Sequence, residues 1–120
     1  MLRALLLGGA AVCLASTAAF AEGSPARYVV IEQSASIAYP NTISAADRVD
    51  DSTVIFRVGA NRWYRAELAA PCARDATRLT PIEVDTRGRP AFDVTGRVVI
   101  DGRRCALRSF DRIERPEALH

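Results

Sequence analysis

The chemically capable side chains in this sequence are carboxylates, guanidiniums and thiols. Its 120 residues include 14 acidic and 16 basic side chains, and every basic one is Arg. The single imidazole is His120, the last residue. Lys nucleophiles, Schiff-base chemistry and a Ser or Cys nucleophile served by an internal His are therefore excluded. A His-rich metal site is excluded as well. Hydrolysis would need paired carboxylates converging in a cleft. Glu67, Glu83, Asp85 and Asp93 are the candidates, and no spacing singles out a pair among them. Asp47, Asp50 and Asp51 offer the oxygens that Ca²⁺ prefers, but their spacing does not match an EF-hand loop and no Gly stands at its turn. They read as loop carboxylates that keep a strand edge soluble. The residues assign no catalytic group, no metal and no cofactor.

The arginines allow two kinds of contact. Arg87-Gly88-Arg89-Pro90 matches the core of a minor-groove DNA hook, yet Asp85 and Asp93 flank it and the match is only four residues long. It reads as a β-turn, and no nucleic-acid partner is expected. Arg87, Arg89, Arg103 and Arg104 lie near turns and are the candidates for an anion site for phosphate or lipopolysaccharide, because guanidinium forks bind such groups bidentately. The competing reading is a mixed, solvated surface with base composition as the reason for the missing Lys. Trp63 also has two readings. It covers a small second core stacked with an Arg, or it anchors a partner with Arg65 and Arg57 beside it.

The elements that position these groups follow a targeting segment. Residues 1–21 read as a secretory signal: Arg3 gives the positive start, Ala4 to Leu14 is apolar, and Ala19-Phe20-Ala21 offers the small-x-small cleavage pattern. Gly8, Gly9, Ser16 and Thr17 dilute the run below what a spanning helix wants. Cys13 follows Val12, so it reads as an apolar filler and not as a lipidation site. Cleavage after Ala21 leaves a single domain, 22–120, with no stable membrane anchor and an ordered core over about 28–113. That chain carries two cysteines, Cys72 and Cys105. In an exported protein a disulfide is the expected state, against two free thiols or a redox pair, which is usually spaced C-x-x-C.

The signals of the remaining chain are strands and turns. Tyr28 to Ile31, Ile37 to Tyr39, Pro81 to Asp85 and Ala91 to Val94 read as short strands. Ser44 to Asp51 reads as a polar connection or one helical turn, and Leu68 to Leu79 as a loop. In Ser52 to Leu68, Val54, Phe56 and Val58 alternate with Thr53, Ile55 and Arg57, and Tyr64, Ala66 and Leu68 alternate with Trp63, Arg65 and Glu67. Period two makes each set a face. An odd loop at Ala60-Asn61-Arg62 pairs Val58 with Tyr64 and sets Arg57 against Arg65, an unfavourable pair. Asp101-Gly102 fits a two-residue turn with positive φ at both positions. It places Cys105 opposite Val98 and sends Phe110 to the other face with Ala106. The fold class expected is mainly β: a small antiparallel sheet or partly open barrel of hairpins, with at most one short helix.

Arg62-Trp63-Tyr64-Arg65-Ala66-Glu67-Leu68, then Cys72, Ile82 in a short strand and Cys105-Ala106-Leu107 resemble a family of small exported proteobacterial proteins known as a domain of unknown function. The resemblance covers roughly residues 37–113. It implies export and a Cys72–Cys105 bridge, and supplies no activity. The functional expectation is a non-enzymatic periplasmic or secreted protein that binds a protein or an anionic envelope component. A small-ligand binder using a barrel mouth is second, and a carboxylate-based hydrolase third.

Overall fold

The computed structural model describes residues 28–77 and 79–117. The signal segment, Cys13, the cleavage position and His120 lie outside the described residues. Seven strands form one antiparallel sheet: β1 (Val30–Glu32), β2 (Ile43–Asp50), β3 (Thr53–Val58), β4 (Arg62–Leu68), β5 (Ile82–Asp85), β6 (Arg97–Ile100) and β7 (Arg103–Ile113). A single 3₁₀ turn, Pro40–Thr42, precedes β2. The spatial order is β2-β3-β4-β7-β6-β5, with β1 beside the last residues of β7. The terminal strands β2 and β5 approach each other, so the sheet curls into a nearly closed barrel. No helix among the described residues is long and apolar enough to cross a membrane.

The barrel is filled from the face that alternation predicts, with Phe110 added against it. Val54, Phe56, Tyr64, Ala66, Leu68, Val98, Ile100 and Phe110 point inward and are buried. Aromatic rings dominate the centre. Tyr64 stacks on Phe110 with centroids 5.4 Å apart, and Phe92 meets Phe110 edge-on at 5.1 Å. Phe92 comes from the β5–β6 connection, which crosses the barrel end. Gly96 on that connection is buried under the ring: a Cβ there would lie 2.8 Å from Phe92 Cδ1 and 2.9 Å from the Asp85 carbonyl. A side chain at 96 would force the ring out of the core.

Two hairpins show how pattern and turn chemistry set register. At Asp101-Gly102 both φ angles are positive, 54° and 78°. Cys105 pairs with Val98 and points into the core, as the two-residue turn dictates. The β3–β4 loop is odd in length, but it consists of Gly59-Ala60-Asn61 and not Ala60-Asn61-Arg62. Phe56 therefore faces Tyr64 and Val54 faces Ala66. Gly59 takes the positive φ of 61° that starts this turn, so the chain reverses one residue earlier. This register removes the expected Arg57–Arg65 clash. Arg57 faces Trp63, and Arg65 faces Ile55.

Three further expectations are corrected. Ser44–Asp51 is not a connection: residues 43–50 form the edge strand β2. Its apolar alternation is weak because Ala46 and Arg48 are the inward residues, opposite Phe56 and Val54. An inward charge and two bulges are devices that protect a strand edge from pairing with other chains. Phe110 is not on the outer face. A bulge in β7 pairs Glu67 with Ser109 but Leu68 with Leu107, so Arg108 is extra and parity flips. Ile37–Tyr39 and Ala91–Val94 are not strands; they meet in one isolated bridge, Ile37 to Phe92.

Cys72 and Cys105 are joined, with Cα atoms 6.0 Å apart. The bridge fastens the loop after β4 to β7, and such a bond fits an oxidising compartment. Arg48 holds the same loop from the other side. Its guanidinium is buried, donates to the Ala73 and Cys72 carbonyls at 2.6 Å each, and lies 3.6 Å from Asp51. Arg48→Met keeps the length but leaves two carbonyls without their donors. The expected loss is about 2–3 kcal/mol, read as a lower urea midpoint. An unchanged midpoint would show that the loop does not need this clamp.

Candidate functional site

The outer face of the sheet carries two rungs of side chains. One runs Ala45, Arg57, Trp63, Ile113 and Val30 across β2, β3, β4, β7 and β1. The next runs Asp47, Ile55, Arg65 and Asp111. Ile55 and Ile113 are almost fully buried, at 2% and 1% exposure, yet lie outside the barrel core. They form a small second apolar floor. Trp63 is half-buried above it, with the Arg57 guanidinium 5.5 Å from its ring centroid. The stacked packing is thus realised, and the indole is only partly covered.

The three residues of the candidate contact surface separate. Arg65 is engaged internally: its Nη2 donates to Asp111 Oδ2 at 3.1 Å, and the Tyr28 ring covers it at 5.4 Å. Asp111 is buried and also accepts the Ser34 backbone N–H at 3.1 Å. Burial raises the Tyr28 hydroxyl above its ordinary pKa, with Asp50 adding to this and Arg65 opposing it. Arg57 and Trp63 instead border a groove of about 370 Å³. Ile55 and Ala45 line its apolar side, while Asp47 and Arg115 stand beside it. Arg57 donates one long hydrogen bond, 3.4 Å to the Ala60 carbonyl, and its buried Nε has no acceptor. Among the described residues Arg57 and Arg115 lie in no ion pair, as is also true of Arg62, Arg87, Arg89 and Arg112, whereas Arg48, Arg65, Arg74, Arg97, Arg103, Arg104 and Arg108 do.

The turn arginines do not converge. Arg103 grips Asp75 with both Nη atoms, at 2.8 and 3.0 Å. That hydrogen bonding holds the Asp75 carboxyl below the usual carboxylate range and Arg103 above its own. Arg104 lies 3.5 Å from Asp85, which Arg97 approaches at 3.9 Å. Arg89 donates to the Thr95 hydroxyl at 2.7 Å, and Arg87 sits at the positive-φ tip of the turn, at 60°.

The carboxylates are likewise held by separate partners. Glu67 meets Arg108 and Ser109, Asp85 meets Arg97 and Arg104, and Asp93 accepts the Thr95 hydroxyl, which lowers its pKa. Glu83 is exposed on β5. Asp51 faces Arg48 and Arg74, Asp50 caps the turn to Ser52, and Asp47 alone of that trio borders the groove.

Two other hollows lie elsewhere. At the barrel mouth, Ile37, Tyr39, Val58, Arg62 and Tyr64 surround about 210 Å³, below the roughly 300 Å³ at which ligand pockets begin. A wide hollow of about 660 Å³ at the opposite end is walled by Asp50, Asp51, Glu67 and Arg108, with Pro71 its single apolar residue. The outer groove combines an apolar floor, an aromatic wall and unpaired cations. No family of proteins, no curated protein and no solved structure matches the chain.

Sequence reasoning reaches Trp63 and Arg57 because hairpin parity puts them on one face. It misses Arg115, Asp111 and Tyr28, and it groups Asp47 with Asp50 and Asp51 instead of with the groove. The signal for Asp111 is the bulge, which has no residue signature in β7. Arg115 lies beyond the end of β7 and lines the groove beside Arg57 and Trp63.

Proposed function

We propose that this protein is a non-enzymatic binding module of the periplasm or cell exterior, akin to the small exported family that its Trp-Tyr-x-Ala-x-Leu segment and cysteine pair resemble. Its contact surface is the groove between Arg57 and Trp63. The observation that carries the proposal is two guanidiniums, Arg57 and Arg115, with no ion-pair partner among the described residues, beside the exposed Ala45 and the half-buried Trp63. Seven of the described arginines are matched to carboxylates; of the six that are not, Arg57 and Arg115 share one hollow with apolar surface and an indole, which favours an outside partner with negative charge. The disulfide supports an oxidising location, and the signal-like segment supports export. A ligand held at the barrel mouth is the weaker reading, because aromatic rings fill the barrel beneath it.

A photo-reactive side chain placed at Ala45 tests the proposal in intact envelopes, with Ala106 on the exposed part of β7 as the comparison position. The expected result is a discrete adduct from position 45 that disappears with Arg57→Ser, and none from position 106. Equal adducts from both positions, or no adduct dependent on Arg57, would overturn it.

A further inference from the structure

We infer that the groove recognises a carboxylate carried on a short apolar body, such as an acyl or aryl acid or an acidic group with an apolar stem on a larger partner. The inference rests on the groove being the binding face and adds the chemistry that it selects. Its floor is Ile55, itself already buried, so the apolar surface open to a ligand is the exposed methyl of Ala45 and the half-buried Trp63 indole. These surfaces gain from covering hydrocarbon, and about 370 Å³ accommodates a body of only a few carbons.

Charge decides the other half of the ligand. Arg57 and Arg115 border the apolar floor and Asp47 alone opposes them, so the groove favours a single negative charge. Arg57 lies over the indole with one long hydrogen bond made, which leaves most of its fork of donors available to a planar carboxylate. A bare inorganic anion meets the arginines but leaves the apolar floor wet. A neutral hydrocarbon covers the floor but leaves the guanidiniums unpaired. An apolar carboxylate does both. Asp47 then acts as a selectivity element: it lowers affinity for every anion and disfavours those of higher charge most.

Trp63 is the only tryptophan in the chain, so its emission reports occupancy directly. The probes are hexanoate, neutral hexanol and inorganic phosphate, titrated into the intact, oxidised protein. Hexanoate is expected to saturate the Trp63 signal at roughly tenfold lower concentration than hexanol or phosphate, the gain of one charge-assisted contact. Arg115→Gln, which leaves the Arg57–indole stack in place, is expected to weaken hexanoate about tenfold and hexanol not at all. Asp47→Asn is expected to tighten hexanoate by up to about fivefold, a gain that a purely structural Asp47 would not give. Near-ultraviolet circular dichroism confirms that each variant is folded.

Equal binding of hexanol and hexanoate, or an Asp47→Asn variant that binds hexanoate no better, would overturn the inference. No hexanoate binding with the position-45 adduct retained would reject the ligand class and leave the binding face standing. Loss of both would reject both.

Discussion

Phe110→Ala is expected to cost about 3–5 kcal/mol, a large part of the roughly 5–15 kcal/mol that holds a domain of this size together. Phe110 is fully buried and touches three other rings: Tyr64 stacked at 5.4 Å, Phe92 edge-on at 5.1 Å and Phe56 edge-on at 6.2 Å. Removing it leaves a cavity at the crossing of β3, β4, β7 and the loop that carries Phe92. Those strands are fixed by backbone ladders on both sides and cannot collapse inward to fill it. Phe110→Leu retains most of the volume and is expected to cost roughly half as much or less. Equilibrium urea unfolding, followed by far-ultraviolet circular dichroism, gives both numbers. A loss for Phe110→Ala below about 1 kcal/mol would mean that the aromatic cluster is not the centre of stability. The result would also place Phe110 on the inner face against simple alternation, since an outward residue beyond a regular strand would cost little.

The second large effect is loss of the bridge. Cys72→Ala with Cys105→Ala is expected to cost about 3–4 kcal/mol in the chain-entropy picture, set by the 33-residue separation. The closed loop holds β5, β6 and the connection bearing Phe92, so its ordering is coupled to half of the barrel core. Reduction of the wild-type protein by dithiothreitol is expected to lower the urea midpoint by the same amount as the double substitution. A midpoint that ignores reductant would show that the Arg48 clamp and the β6–β7 hairpin already fix this loop. The two restraints grip one segment, Arg48 at the Cys72 and Ala73 carbonyls and the disulfide at Cys72. Arg48→Met combined with reduction is therefore expected to depart from additivity.

The groove and the core differ in how their residues announce themselves. Val54, Phe56, Tyr64, Ala66 and Leu68 are legible as core because they alternate over two consecutive strands with a turn between them. Cys105 and Val98 are legible as partners because Asp101-Gly102 permits one loop length. Phe110 is not legible, because the bulge at Arg108 adds a residue that no side-chain pattern marks. Arg48 is hidden by its own charge: an inward guanidinium makes an edge strand look like a polar connection. Arg65 is misjudged for a related reason. Its place beside Trp63 on an outward face suggests a free cation, and only the register with β7 brings Asp111 against it.

Local order follows from the residues in succession: strands from period-two alternation, hairpins from Gly and Asp-Gly turns, and a mainly β chain. Those features depend on neighbours a few residues apart, and their physics is local. Tertiary structure alone decided which arginines are free. Arg65, Arg103 and Arg104 have the same side chain as Arg57 and Arg115, but among the described residues carboxylates distant in sequence pair with the first three and not with the last two. A guanidinium is available for a partner only where no internal carboxylate lies within reach, and that depends on contacts between residues 19 to 46 positions apart in the chain.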